Sequence, residues 1–166
     1  MKKRTLYLAA ALSVAAFHVQ AEELLIAGRV ESVLLVARGA PSCIDPADVP
    51  AETKNGVRAV LISNGCGCQE STIRVDQTFA GTPPGATLVL KTALGEWCRP
   101  SLTVSMHPAL IQVKDGSVRS APLDGDGRFE AKPFTVILGV RASTLAVDAE
   151  GRASLDALLA RARTSP

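Results

Sequence analysis

Leu24-Leu25-Ile26-Ala27-Gly28-Arg29-Val30-Glu31-Ser32-Val33-Leu34-Leu35-Val36 is the stretch that decides how this 166-residue chain folds. Its middle, Arg29 to Val33, alternates polar and apolar side chains, the two-residue period of a half-buried strand. Its two ends are continuously apolar. Gly28 inside the run marks a bulge or a bend, because a residue without a Cβ lets another backbone come close. A long strand that bends there can serve two sheets, which is how a small barrel of five strands closes.

Downstream the same period recurs in shorter pieces. Val57-Arg58-Ala59-Val60-Leu61-Ile62-Ser63 reads as a strand ended by Asn64-Gly65. Ser71 to Phe79 gives another, with Ile73, Val75 and Phe79 on one side and Arg74, Asp76 and Thr78 on the other. Ala80-Gly81-Thr82-Pro83-Pro84-Gly85 is a turn, and Leu88 to Thr92 is the strand after it. Leu102 to Val104 and Leu110 to Val113 read as a further strand broken at Pro108, followed by the hairpin turn Asp115-Gly116 and a return strand from Val118. Phe134 to Val140 is one more strand or apolar segment. Only residues 154–163 look helical: Ser154 is the N-cap, Asp156 sits in the first turn, and Leu155, Leu158, Leu159 and Ala162 share a face. No internal repeat is evident. Many short strands and one terminal helix predict a mainly β fold, a small closed antiparallel barrel with a C-terminal α-helix.

Upstream, Lys2, Lys3 and Arg4 precede an apolar stretch from Leu6 to Phe17, and Val19-Gln20-Ala21 precedes a cut before Glu22. That is the layout of a cleaved signal peptide over residues 1–21, leaving 22–166 as a single domain. The competing reading, a retained membrane anchor, is disfavoured because a dozen apolar residues fall short of the roughly 20 that span a bilayer. No cysteine stands at the cut to take a lipid, and no later segment is long and apolar enough to span. The expected location is the periplasm or the extracellular space.

Removing Met1–Ala21 takes three basic residues away and moves the formal charge from +2 to −1. The basic balance therefore belongs to the export signal and does not argue for nucleic-acid or anionic-membrane binding. The remaining aromatics are Phe79, Trp97, Phe129 and Phe134, too few for a carbohydrate site built on stacked rings. Acidic residues are many, but nothing singles out a glycosidase pair.

Cys43, Cys66, Cys68 and Cys98 remain after cleavage. An even count in an exported protein predicts disulfides. Three pairings are possible. A bridge between Cys66 and Cys68 would close a small strained ring, so the favoured arrangements join Cys43 to one of them and Cys98 to the other. Each bridge would then contribute about 3–4 kcal/mol by constraining the unfolded chain. The alternative use of the same residues is metal: Gly65-Cys66-Gly67-Cys68 is a thiolate hairpin to which Cys98, Cys43 and His107 would add ligands for Zn²⁺ or Cu(I). The spacing is not the C-x₂-C pattern of structural zinc sites, and no thioredoxin-like helix follows it.

His107 is the one histidine left after cleavage and stands in Ser105-Met106-His107-Pro108. With no nucleophile elbow it reads as a turn residue, and no catalytic residues, no enzyme activity and no cofactor are expected. Asp124-Gly125-Asp126-Gly127 resembles a calcium loop but lacks the third oxygen ligand and the glycine position of an EF-hand, and reads as a turn. Gly65 and Gly67 open no helix and make no dinucleotide fingerprint.

The segment from Ser71 to Gly116 resembles the netrin-like, or tissue-inhibitor-of-metalloproteinases-like, OB-fold domains. The likeness rests on a strand ending in Val75–Phe79, the Ala80-Gly81 turn, a strand ending in Lys91-Thr92, then Cys98, Leu102, Val104, Ala109-Leu110-Ile111 and a hairpin turn. Ala27-Gly28-Arg29-Val30-Glu31-Ser32-Val33 also resembles that family's first barrel strand. The resemblance implies the barrel and a habit of binding other proteins. It departs from the family's inhibitors at the mature terminus, which is Glu22 and not a zinc-chelating cysteine, and at Ser105–Pro108 before the last strand. The expectation is an exported, disulfide-stabilised module binding another envelope or extracellular protein through loops near Gly39–Asn55 and Gly65–Gln69. A thiolate metal-binding protein is the alternative, and a protease inhibitor is the reading by family analogy alone.

Overall fold

A computed structural model describes residues 23–43 and 66–164. The expected signal peptide, the strand expected at Val57–Ser63 and residues 44–55 of the expected loop lie outside the described residues.

The strands form in the order β1 (Leu24–Val36), β2 (Cys68–Ala80), β3 (Thr87–Ala93), β4 (Ala109–Lys114), β5 (Ser117–Pro122), β6 (Arg128–Glu130), β7 (Val136–Ile137), β8 (Val140–Arg141) and β9 (Arg152–Ser154), followed by helix α1 (Leu155–Thr164). The first five make one antiparallel sheet in the spatial order β3-β2-β1-β4-β5. Among the described residues β3 and β5 are its two edges, so the sheet is open and the expected closed barrel is not confirmed.

Strand β1 is the spine. It pairs with β2 along its length and with β4 only over Leu24–Gly28. The register with β2 slips between Ala27 and Gly28. A Cβ on Gly28 would stand 2.7 Å from the Arg74 carbonyl oxygen and 2.9 Å from the Ile73 side chain, so the bend needs glycine. At the start of β1 the apolar run is buried on both faces: Leu25 faces one core and Ile26 the other, and Leu110 and Ile111 repeat the division on β4. At its far end Leu34 and Leu35 are exposed.

One face of the sheet carries Ile26, Val30, Ile73, Leu88, Leu102 and Ile111. Residues 102–104 are not the strand expected of them. Instead, the buried Gln69 holds that segment beneath the sheet, accepting from the Ser101 N–H at 2.7 Å and donating to the Leu102 carbonyl at 3.1 Å. The opposite face is covered by the C-terminal layer, where Phe129, Phe134, Ile137, Leu155 and Leu158 meet Leu25 and Leu110. Glu23 joins the layers: its carboxylate accepts from Gln112 Nε2 at 2.6 Å, from the Leu138 N–H at 2.8 Å and from Lys114 Nζ at 3.2 Å. The apolar segment at Phe134–Val140 is a tight hairpin, β7 and β8, because Leu138 and Gly139 turn the chain with φ of 49° and 80°. Helix α1 follows Ser154, whose Oγ accepts from the Ala157 N–H.

The C-terminal layer contains a repeat that the sequence reading missed. Asp124-Gly125-Asp126-Gly127-Arg128 and Asp148-Ala149-Glu150-Gly151-Arg152 form the same turn. In each, the leading aspartate Oδ1 accepts from backbone N–H groups two and four residues on: 3.1 and 2.8 Å at Asp124, 3.1 and 2.8 Å at Asp148. In each, the glycine N–H returns to the aspartate carbonyl. The strands that follow, β6 and β9, pair with each other. The arginines are exchanged: Arg128 donates to Asp148 Oδ2 at 3.1 Å, and Arg152 to Asp124 Oδ2 at 2.9 Å. Where a calcium loop would place an ion, the partner turn supplies a guanidinium.

The Arg152 N–H, foremost, and the arginine charges hold the Asp148 carboxyl below its ordinary value of 3.8. A lowered folded-state pKa stabilises the fold above the unfolded value and stops doing so as pH falls through the folded one. The gap in urea midpoint between wild type and Asp148→Asn is expected to be open near pH 7 and to narrow as the pH falls below the ordinary carboxylate value of 3.8. A gap that persists at the acid end would rule out ionisation as its source.

Candidate functional site

The disulfides gather at one end of the sheet. Cys43 follows β1 and is bonded to Cys68 at the start of β2; Cys66 is bonded to Cys98, beyond the end of β3. The pairing is one of the two favoured from spacing, with bridges spanning 25 and 32 residues. Gly67 lies between them with φ +91°, and a Cβ there would stand within 3 Å of the Arg38 backbone nitrogen. The Leu94 N–H donates to the Gly67 carbonyl at 3.0 Å, tying the end of β3 to the same point.

Beyond Leu94 the chain makes a short 3₁₀ turn, Glu96–Cys98, in which Trp97 and Cys98 both take left-handed backbone angles, φ 59° and 58°. Non-glycine residues there are uncommon, and each costs on the order of 1 kcal/mol. A hydrogen bond from the Gly95 N–H to the Arg99 carbonyl, 2.9 Å, closes the loop. Trp97 stands on its tip, 86 % exposed. It is the chain's one tryptophan. On β1, Leu34 and Leu35 are exposed at 60 % and 56 %, in register with Glu70 and Gln69 near the start of β2.

The chain matches no family model, no curated protein and no solved structure. All four cysteines are in disulfides, so Cys66, Cys68 and Cys98 present no thiolate in this form. No group of three His, Cys, Asp or Glu side chains is placed to hold a metal among the described residues. His107 is exposed, and its turn is closed through backbone: its N–H donates to Ser105 Oγ, and that hydroxyl donates to the His107 carbonyl. The serine thus engages the main chain of His107.

The broad outer face of β1, β2 and β3 is charged and internally paired. Arg29 and Arg74 reach Asp76 at 3.5 and 3.6 Å, and Lys91 reaches Glu70 at 3.1 Å. Such exposed pairs contribute little stability and leave no surplus of one sign to draw a charged ligand. The site residues that sequence reasoning did not single out are Trp97, Leu34 and Leu35. An apolar strand end followed by a proline- and glycine-bearing loop was the available signal for the leucines. A non-glycine left-handed turn leaves none for the tryptophan.

Proposed function

We propose that this protein is an exported binding module and that the disulfide-stapled end of its sheet engages another envelope or extracellular protein. One observation carries the reading: the sole tryptophan is held out in solvent on a loop fixed by a disulfide and by left-handed backbone. Tryptophan is enriched among residues that dominate binding energy, and a fixed loop loses little freedom on docking. Leu34 and Leu35 expose further apolar area at the same end of the sheet, on β1, one on each face. Two disulfides fit a protein that works outside the cytoplasm, and among the described residues no helix is long and apolar enough to cross a membrane. Joining β3 to β5 would turn the observed strand order into a ring of five, so the sheet is compatible with an opened barrel of the netrin-like kind.

The test is site-specific photocrosslinking in the native compartment, with the probe at position 97 and, as control, at Asp115 on the β4–β5 turn. One discrete adduct at position 97 and none at 115 is the expected result. Trp97→Ala is expected to weaken capture of that partner at least about tenfold without shifting the melting temperature. Equal labelling at both positions, or turnover of a substrate by the purified protein alone, would sink this reading.

A further inference from the structure

We propose that the two disulfides have different roles: Cys43–Cys68 is permanent, whereas Cys66–Cys98 is an exchangeable latch that sets the conformation of the Trp97 loop. The difference begins with access. Cys43 and Cys68 are 3 % and 8 % exposed, while Cys66 is half-buried and Cys98 is exposed. Exchange requires a thiolate to reach a disulfide sulfur, so the outer bridge is the one a reductant meets. The second ground is backbone. Trp97 and Cys98 sit in consecutive left-handed conformations that a surrounding constraint must hold. The Cys66–Cys98 bond is the covalent part of that constraint.

The third ground is that the freed segment is bounded on both sides. Before it, Leu94 is buried and its N–H is bonded to Gly67. After it, Gln69 holds Ser101 and Leu102, and Leu102 is buried in the core. Opening the outer bridge therefore removes the covalent anchor of the loop that carries Trp97 and Cys98 and leaves the sheet, the core and the inner bridge in place. The reductant is a dithiol. Its first thiolate attacks one sulfur of Cys66–Cys98, forming a mixed disulfide and expelling the other as a thiolate. Its second thiol then displaces the remaining cysteine. The dithiol ends as a cyclic disulfide, two electrons poorer, and its two protons end on Cys66 and Cys98. The latch stands apart from the partner-binding reading, because loop release is read on the isolated protein.

The experiment is graded reduction of the full mature protein with dithiothreitol, alkylation, and mass mapping of all four cysteines, followed in parallel by tryptophan fluorescence and far-ultraviolet circular dichroism. Cys66 and Cys98 are expected to label at least about tenfold faster than Cys43 and Cys68. The Trp97 emission should change in that first step while the dichroism does not. A paired Cys66→Ser, Cys98→Ser variant should show the reduced form's emission from the outset; if it does not fold, the graded reduction of wild type still decides. Simultaneous opening of both bridges, earlier opening of Cys43–Cys68, or an outer opening that leaves the emission unchanged would overturn the proposal.

Discussion

Replacing Phe129 with alanine is expected to destabilise the protein by about 3–5 kcal/mol, the cost of emptying a ring-sized space in a packed core. The ring is fully buried and meets Phe134 edge to face, centroids 5.7 Å apart at 88°. Its backbone is fixed from both sides, by Ala153 on β9 and by Leu123. Strands β6 and β9 are only three residues each and cannot follow the cavity inward without giving up the paired turns. Urea unfolding monitored by circular dichroism should show the midpoint falling with little change in slope. Leu35→Ala, on the exposed end of β1, is the control and should stay within about 0.5 kcal/mol of wild type. A Phe129→Ala loss below about 1 kcal/mol would mean that the C-terminal layer is not seated on the sheet as described.

Removing the inner bridge comes next in size. Cys43→Ala with Cys68→Ala should cost about 3–4 kcal/mol under the chain-entropy model. The pair spans 25 residues, and both ends are buried. The outer bridge spans 32 residues, so the same entropy argument gives it nearly the same worth. What separates them is the native state, because cutting the outer bond also lets Trp97 and Cys98 leave left-handed backbone, returning part of the loss. The inner pair of substitutions is thus expected to lower the urea midpoint by clearly more than the outer pair. Equal midpoints would indicate that the left-handed turn costs nothing to hold.

Much of the sheet was legible because its signals are local. Gly28 marked the bend in β1, Asp115-Gly116 the β4–β5 hairpin, and Ser154 the start of α1. Asp115-Gly116 and Ser154 act on residues next to them in sequence, and Gly28 shows by its missing Cβ that something crowds it, even before Arg74 is known to be the neighbour. The misreadings have the opposite cause. Residues 102–104 look like a strand until Gln69, more than thirty positions earlier, takes their hydrogen bonds. Phe134–Val140 looks continuous until Leu138 adopts an angle that leucine rarely takes. The paired turns share only aspartate, glycine and arginine at corresponding places, and their kinship is expressed by the exchange of arginines. At the stapled end, chemistry limited how the cysteines combine, yet nothing in the letters around Trp97 says that the ring stands in water.

The exchanged arginines also set an order of events as the protein is made. Asp124 waits for a guanidinium 28 residues further along, while Asp148 takes one from 20 residues behind it and another from Arg152 in its own turn. The earlier turn therefore lacks its guanidinium partner until Arg152 is in place. A chain that has formed the five-stranded sheet but not β9 would carry that sheet with neither exchanged contact made. Pairing of β9 with β6 then brings both contacts together in one stroke.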